Sequence, residues 1–205
     1  MKALRVAAID PSLTHFGIAK LILKLETMQF GILSLHTIVT ESNTKGNKTL
    51  RKNSDDLRRC KLIMDTYPKL VADCSVVFAE IPVGAQSARA MFAFGAATMA
   101  VAACPVPVIE IQPSETKMAT VGTKTASKEE MIEWASAAYP NGPFERYPKD
   151  KFVKGKLIRR AGAIVDSEEH VCDAVAVAHA GVRNVQFQQL LALMRATQPQ
   201  NLAAA

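Results

Sequence analysis

The sequence predicts an α/β fold: a mixed central sheet, made of a three-strand antiparallel meander plus parallel strands, flanked by helices. Three observations predict it. Three strand-like segments follow one another before residue 40 with only turns between them. After residue 50, helical spacing alternates with short apolar strands, the pattern of crossover connections. The chain has 205 residues, 49% of them hydrophobic, which is enough for one domain with a sizeable core.

Residues 3–9 form an apolar run and predict a buried central strand. Gly17 opens a second strand, about 17–25, Glu26 and Thr27 make the turn, and a third strand covers about 28–39. ESNTKGNK (41–48) is a polar loop. Residues 50–72 repeat Leu57, Cys60, Ile63, Met64, Tyr67 and Val71 at helical spacing under a basic outer face. SVVFAE is a short buried strand. Residues 86–103 form a helix whose Ala- and Gly-rich stretch predicts burial. VPVIEI is a further strand. Ser127 starts a helix to about Tyr139, with Glu130 completing a capping box. A long polar stretch, 140–166, follows. The last clear helix covers 168–183 with Ser167 as its N-cap, and a shorter amphipathic helix near 187–196 precedes a loose tail. Residues 1–185 make the domain, with the basic loop 140–166 inside it, and 186–205 the C-terminal helix and tail.

The formal charge of +6, with a pI near 9.2, points to an anionic partner, nucleic acid before membrane. The four cysteines are scattered without a C-x-x-C pair, so neither a zinc site nor a disulfide framework is indicated; free thiols in a reducing cytoplasm are the simple reading. The N-terminus is interrupted by Asp10 too early for a signal peptide. The most apolar stretch, 90–104, falls short of the roughly 20 residues of a membrane span. The expectation is a cytoplasmic protein of a bacterium or phage-infected host, an organellar matrix being the other compartment, with no membrane and no small-molecule cofactor.

Two strands end alike. VAAIDP closes an apolar run with Asp10 and Pro11; VVFAEIP closes another with Glu80, and Pro82 stops the pairing. Sites in α/β sheets gather at the carboxyl ends of central strands. If these strands are neighbours, the two carboxylates repel unless a cation or a proton lies between them. In SEEHVCDAVAVAHAG, a polar start precedes an apolar helix, and both His170 and Glu169 share a face with Asp173. Acids at a helix start also complement the macrodipole, which accounts for Glu168 and Glu169 but poorly for Asp173. Asp/Glu clusters bind hard divalent cations, and the chemistry that needs them beside a basic surface is phosphoryl transfer from a polyanion.

AAIDPSLTHFGIA, VVFAEIPVGAQSARAMFAFGAA, KMATVGTKTASK and EEHVCDAVAVAHAG resemble, in order, the four motifs of RuvC-type Holliday junction resolvases, which have the ribonuclease H-like fold. The resemblance spans about residues 3–181. It implies a metal site of Asp10, Glu80, His170 and Asp173 holding two Mg²⁺ ions, Mn²⁺ being able to substitute, with Glu169 as competitor for the place of His170. It implies that Lys117 and Lys128, eleven residues apart, touch the scissile strand; Lys124 adds a charge. It also implies a homodimer that places paired nicks in a four-way junction, leaving 5′-phosphate and 3′-hydroxyl ends.

The chain departs from the family pattern in three places. Ser12 stands where the family usually has Gly. The loop after Glu80 offers only Val83 as a wedge. The stretch KDKFVKGKLIRR carries six cations and one acid, making Lys149, Lys151, Lys154, Lys156, Arg159 and Arg160 candidate DNA contacts. Interleaved Phe152, Val153, Leu157 and Ile158 point to a short ordered element; a flexible solvated loop fits the same residues. These departures are those of a divergent phage, viral or organellar relative. The helix 86–103, with Met91, Phe92, Phe94 and Met99, fits either a dimer seam or core burial. Two rival readings stand beside the nuclease. An actin/sugar-kinase-like phosphotransferase wants several glycines in its phosphate loop, where DPSLTHFG has one. A non-catalytic junction-DNA-binding protein should have lost a ligand position, and all four are filled.

Overall fold

The computed structural model describes residues 2–44, 49–81, 83–84 and 87–196. Part of the polar loop at 41–48, Pro82 and the tail beyond 196 lie outside the described residues. Strands β1 (Ala3–Asp10), β2 (His15–Lys24) and β3 (Gln29–Val39) form the antiparallel meander. Helix α1 (Lys52–Val71) leads to β4 (Val76–Glu80), and α2 (Ala88–Ala102) to β5 (Val108–Ile111). Both strands run parallel to β1, giving the sheet order β3-β2-β1-β4-β5. Then come α3 (Pro113–Thr120), α4 (Lys128–Ala138), a hairpin of β6 (Lys151–Val153) and β7 (Lys156–Arg159), a 3₁₀ turn (Asp166–Glu168), α5 (Glu169–Gly181) and α6 (Val185–Ala196). No helix among the described residues is long and apolar enough to cross a membrane.

The apolar strands are central because both their faces are covered. On β1, Leu4, Val6 and Ala8 face one core and Ala7 and Ile9 the other; on β4, Val76 and Phe78 divide in the same way from Val77 and Ala79. The first core is closed by α5 and α6, with Phe187 and Leu191 fully buried. The second is closed by Ile63, Tyr67 and Val71 of α1 and Ala100 and Val101 of α2. Helix α5 lies close on the sheet because its residues are small. A Cβ on Gly17 would come within 2.2 Å of the His170 carbonyl oxygen, so glycine sets how near α5 starts to β2.

Four expectations are corrected. Ser167 does not cap α5: it lies inside the 3₁₀ turn, and α5 begins without a side-chain cap. The turn's own carbonyls, Val165 O and Asp166 O, take the amides of Glu168 and Glu169. The segment between β5 and the Ser127 helix, for which no element is expected, is a helix, α3; Pro113 starts it and Gln112 with Glu115 closes a capping box. Helix α2 is not buried as a whole: Ala97, Ala100 and Val101 are, while Met91, Phe92 and Met99 are exposed. On α1, Leu57 and Met64 are likewise exposed, and its inner face buries Asp55, Asp56 and Arg59. Those charges are paired. Arg59 donates to the Thr40 carbonyl and the Thr14 hydroxyl, and Asp56 is held by Arg89 and Arg59. The stretch 149–160 is ordered as the hairpin. All four cysteines are free thiols.

Candidate active site

Asp10 ends β1, opposite Gly17 of β2. Glu80 ends β4, whose parallel register pairs Ala79 with Ile9, so the two acids leave neighbouring strands side by side. Ser12 bridges the β1–β2 turn: its hydroxyl donates to the His15 carbonyl at 2.8 Å and accepts from the His15 amide at 3.0 Å. Helix α5 starts against this rim. His170 Nδ1 lies 2.9 Å from Asp10 Oδ2, and Asp173, one turn on, feels the charges of Asp10, Glu80 and Glu169.

Crowding shows in the proton affinities. Glu80 is pushed up to about 7, first by burial, with Asp10 adding repulsion and the Thr116 hydrogen bond opposing. Asp173 is also pushed up to about 7, by burial and then by the neighbouring acids. His170 is raised, chiefly by its hydrogen bond to Asp10. The fold thus gathers three carboxylates whose simultaneous charge is disfavoured without a cation. Among the described residues no group of three His, Cys, Asp or Glu side chains closes on a point that could hold a metal ion; Asp10 and His170 meet each other instead. The donor set, three carboxylates and one imidazole, fits a hard divalent ion of the magnesium or manganese class.

The lysines flank this rim. Lys117, half-buried on α3, acts on Glu80 electrostatically. Lys128 opens α4 and lies 2.6 Å from Glu169, with its side chain 72% exposed. Glu169, the competitor for His170, is therefore engaged by a lysine, whereas His170 meets Asp10. Lys124 is exposed on the α3–α4 connection. On the hairpin, Lys151 and Arg159 turn back to Asp166 at 3.0 and 2.8 Å. Lys149, Lys154, Lys156 and Arg160 are exposed and make no ion pair among the described residues. Beside His170, a cleft of about 560 Å³ is lined by His15, Glu41, Glu145, Asp166 and Glu169. Its acidity disfavours a phosphate there and favours the Lys117–Lys128 side.

Two contributors escape a reading of the sequence. Thr116, buried on α3, donates its hydroxyl to Glu80 Oε2 at 2.7 Å; the proline and capping box that announce α3 were the available signal. The His15 ring stacks on His170 with centroids 5.0 Å apart and planes 7° from parallel, and nothing local announces it. The one glycine of the β1–β2 segment, Gly17, is occupied by the approach of α5. It is not part of a phosphate-cradling loop, which tells against the phosphotransferase reading.

No protein-family model matches the sequence, and no curated protein matches it. Solved structures do. Thermus thermophilus RuvC in complex with a Holliday junction substrate superposes with a TM-score of 0.59 at 18% identity, over 92% of this chain and 96% of that one. A second structure of the Thermus thermophilus protein gives 0.52 at 18%, over 92% and 97%. At that identity the likeness establishes the fold, the ribonuclease H-like fold of RuvC. The fold is that of a protein from the family whose motifs the sequence resembles.

Proposed function

We propose that this protein is a metal-dependent endodeoxyribonuclease that nicks four-way or other branched DNA junctions. The observation that carries this is the convergence of Asp10, Glu80, His170 and Asp173 at one rim of the sheet, with Lys117 and Lys128 beside them. Asp10, Glu80, His170 and Asp173 hold the metal. Two bound Mg²⁺ ions, or Mn²⁺ in their place, supply the Lewis acidity that activates water and stabilises the leaving oxygen. Thr116 fixes one oxygen of Glu80 and leaves the other free. Asp10 and His170, which meet each other at 2.9 Å, would both hold the ion, His170 as a neutral ligand. Lys117 and Lys128 grip the scissile phosphate. For Lys128 this means leaving Glu169, which exchanges one anionic partner for another. Hydrolysis joins the water oxygen to phosphorus and breaks the bond to O3′, which takes the proton. The ends are a 5′-phosphate and a 3′-hydroxyl, ready for sealing.

A four-way junction has approximate two-fold symmetry and needs two nicks, so the working unit is a C2 homodimer with one site per chain. The exposed side of α2, with Met91, Phe92 and Met99, continues into an apolar groove of about 590 Å³ against α1 and supplies the seam. The test is a cleavage assay with labelled four-way junction, three-way flap and linear duplex, each with and without magnesium or manganese. Metal-dependent, ligatable nicks confined to the branched substrates are expected. Cutting without metal, or equal cutting of linear duplex, would overturn the proposal.

A further inference from the structure

The β6–β7 hairpin is a built element. Lys154 and Gly155 form its turn with φ of 50° and 77°, the type I′ geometry of a tight two-residue hairpin. Its base is tied down. Asp166 accepts from Lys151, Arg159 and the Tyr147 hydroxyl, the last at 2.9 Å. Asp150 caps the Ala161 amide at 2.8 Å. Asp166 also opens the 3₁₀ turn that runs into α5, so the hairpin is fixed to the segment that carries His170.

What the hairpin displays is a different matter. Phe152 is 59% exposed and Val153 47%, and Phe152 has no ring or cation–π partner among the described residues. Phe152 pairs across the strands with Leu157, which is half-buried. On the same hairpin and its two flanks, Lys149, Lys154, Lys156 and Arg160 are exposed and none is bound to an acid among the described residues; Lys156, paired with Val153, lies on the face opposite Phe152. An unpartnered aromatic ring on a hairpin that also carries free cations suits a nucleic-acid strand with an unstacked base: the ring takes the base face and the cations take phosphates along the strand. Continuous duplex shows only base edges, whereas a branch point interrupts the stack and bares a face.

We propose that the hairpin is a base-stacking pin for branched DNA, in which Phe152 stacks on a base at the branch point while Lys149, Lys154, Lys156 and Arg160 hold the flanking phosphates. This rests on the junction-nuclease reading above. One ring, one valine and one isoleucine are too little apolar surface for stable membrane anchoring.

The experiment measures binding of the full chain to four-way junction and to linear duplex across a salt series, without divalent metal, for wild type, Phe152→Ala, Phe152→Leu and Phe152→Tyr. Sedimentation and binding to vesicles containing phosphatidylserine are measured alongside. Loss of the ring is expected to weaken junction binding about tenfold, the effect of one base–aromatic stack. Duplex binding and the salt slope should be unchanged, because the phosphate contacts remain. Tyrosine should restore the affinity and leucine should not. Wild-type junction binding with Phe152→Ala unchanged, or with leucine as good as phenylalanine, overturns the pin and leaves the nuclease reading standing. So does a Phe152→Ala chain that falls to monomer or loses vesicle binding, since the ring then serves a second copy or a membrane. A wild type that prefers no branched DNA sinks both.

Discussion

Asp173 is held where a carboxylate is least at ease: largely buried, with Asp10, Glu80 and Glu169 in its field. Its proton affinity in the fold, about 7, exceeds the ordinary 3.8, so the native state holds a proton that the unfolded chain releases. Without metal, its contribution to stability is therefore full at acid pH and lost as pH rises through that window. Asp173→Asn keeps the shape and cannot titrate. In chelator at pH 8 it should melt higher than wild type, by roughly 2–4 °C for each kcal/mol of strain relieved, and the gain should vanish at acid pH. With metal, the same variant should cut junctions more slowly by about a hundredfold or more, since metals supply both nucleophile and leaving-group stabilisation. Wild-type cutting by Asp173→Asn would remove the metal site. His170 gives a finer prediction. Its hydrogen bond to Asp10 raises its proton affinity above 6.5, and a ligand must be deprotonated. Cleavage should fall as pH falls, with its midpoint above pH 6.5 at limiting metal. His170→Asp should stay active in magnesium and lose only the imidazole's share of that limb, since Glu80 and Asp173, themselves pushed up to about 7, must also deprotonate to bind metal. Glu169→Gln should matter little, its carboxylate being engaged by Lys128; a dead Glu169→Gln beside an active His170→Ala would move the ligand by one residue.

Helix α5 spans two environments. Its first turns carry the candidate ligands, and near its end His179 sits among Phe30, Trp134 and Tyr139, hydrogen-bonded to the Tyr139 hydroxyl at 2.7 Å. Burial, with the charge of Arg183 beside it, lowers the His179 pKa from 6.5 to about 4. The unfolded chain then binds a proton that the fold refuses, so stability falls as pH drops from about 6.5 through about 4. Denaturant unfolding at stepped pH should show this slope. His179→Gln should flatten it while lowering stability throughout; an unaltered slope would put the acid sensitivity elsewhere. In the hairpin, geometry separates anchors from free charges. Replacing Lys149, Lys154, Lys156 and Arg160 together should lower the salt slope of junction binding by roughly 3–4, about 0.9 for each phosphate no longer neutralised. Arg159→Ala should instead loosen the hairpin, because its guanidinium is tied to Asp166. An unchanged slope in the quadruple variant would leave the hairpin without a role in phosphate binding.

Across the whole molecule, the two faces of the sheet are covered unequally. The face under α5 carries the closed core and the candidate site. The other, under α1 and α2, leaves Leu57, Met64, Met91, Phe92 and Met99 at the surface. A stable dimer buries about 800 Å² per partner, and a two-helix surface of this kind can supply it. The wild-type chain should sediment at about twice 22.2 kDa, and Phe92→Glu should shift it toward monomer without unfolding it, since Phe92 is already exposed. A wild type that stays monomeric at micromolar concentration and on junction DNA would end the paired-nick mechanism.

The order of strands and helices could be read locally because hydrophobic period is local. Residues 6–9 and 76–79 are apolar throughout because each strand is covered on both faces. Asp10 and Glu80 stand out because a carboxylate directly after such a run must sit at the sheet's rim. His170 and Asp173 share a face by helical spacing alone. Beyond that, tertiary packing decided. The large side chains of α2 could have faced core or solvent, since small residues line its other side and either packing satisfies its composition. The buried Asp55–Asp56–Arg59 set on α1 breaks the expected apolar face and is offset by partners just after β3, in the β1–β2 turn and on α2. Ser167 had the chemistry of a cap, but a 3₁₀ turn reached the amides first. The contacts that would tune the site are His170 on Asp10, 160 positions apart, His15 on His170, and Thr116 on Glu80. The sequence determined which residues stand at strand ends and helix starts. Only the folded chain decided which of them meet, and so which are charged, because burial and electrostatic coupling depend on distance in space.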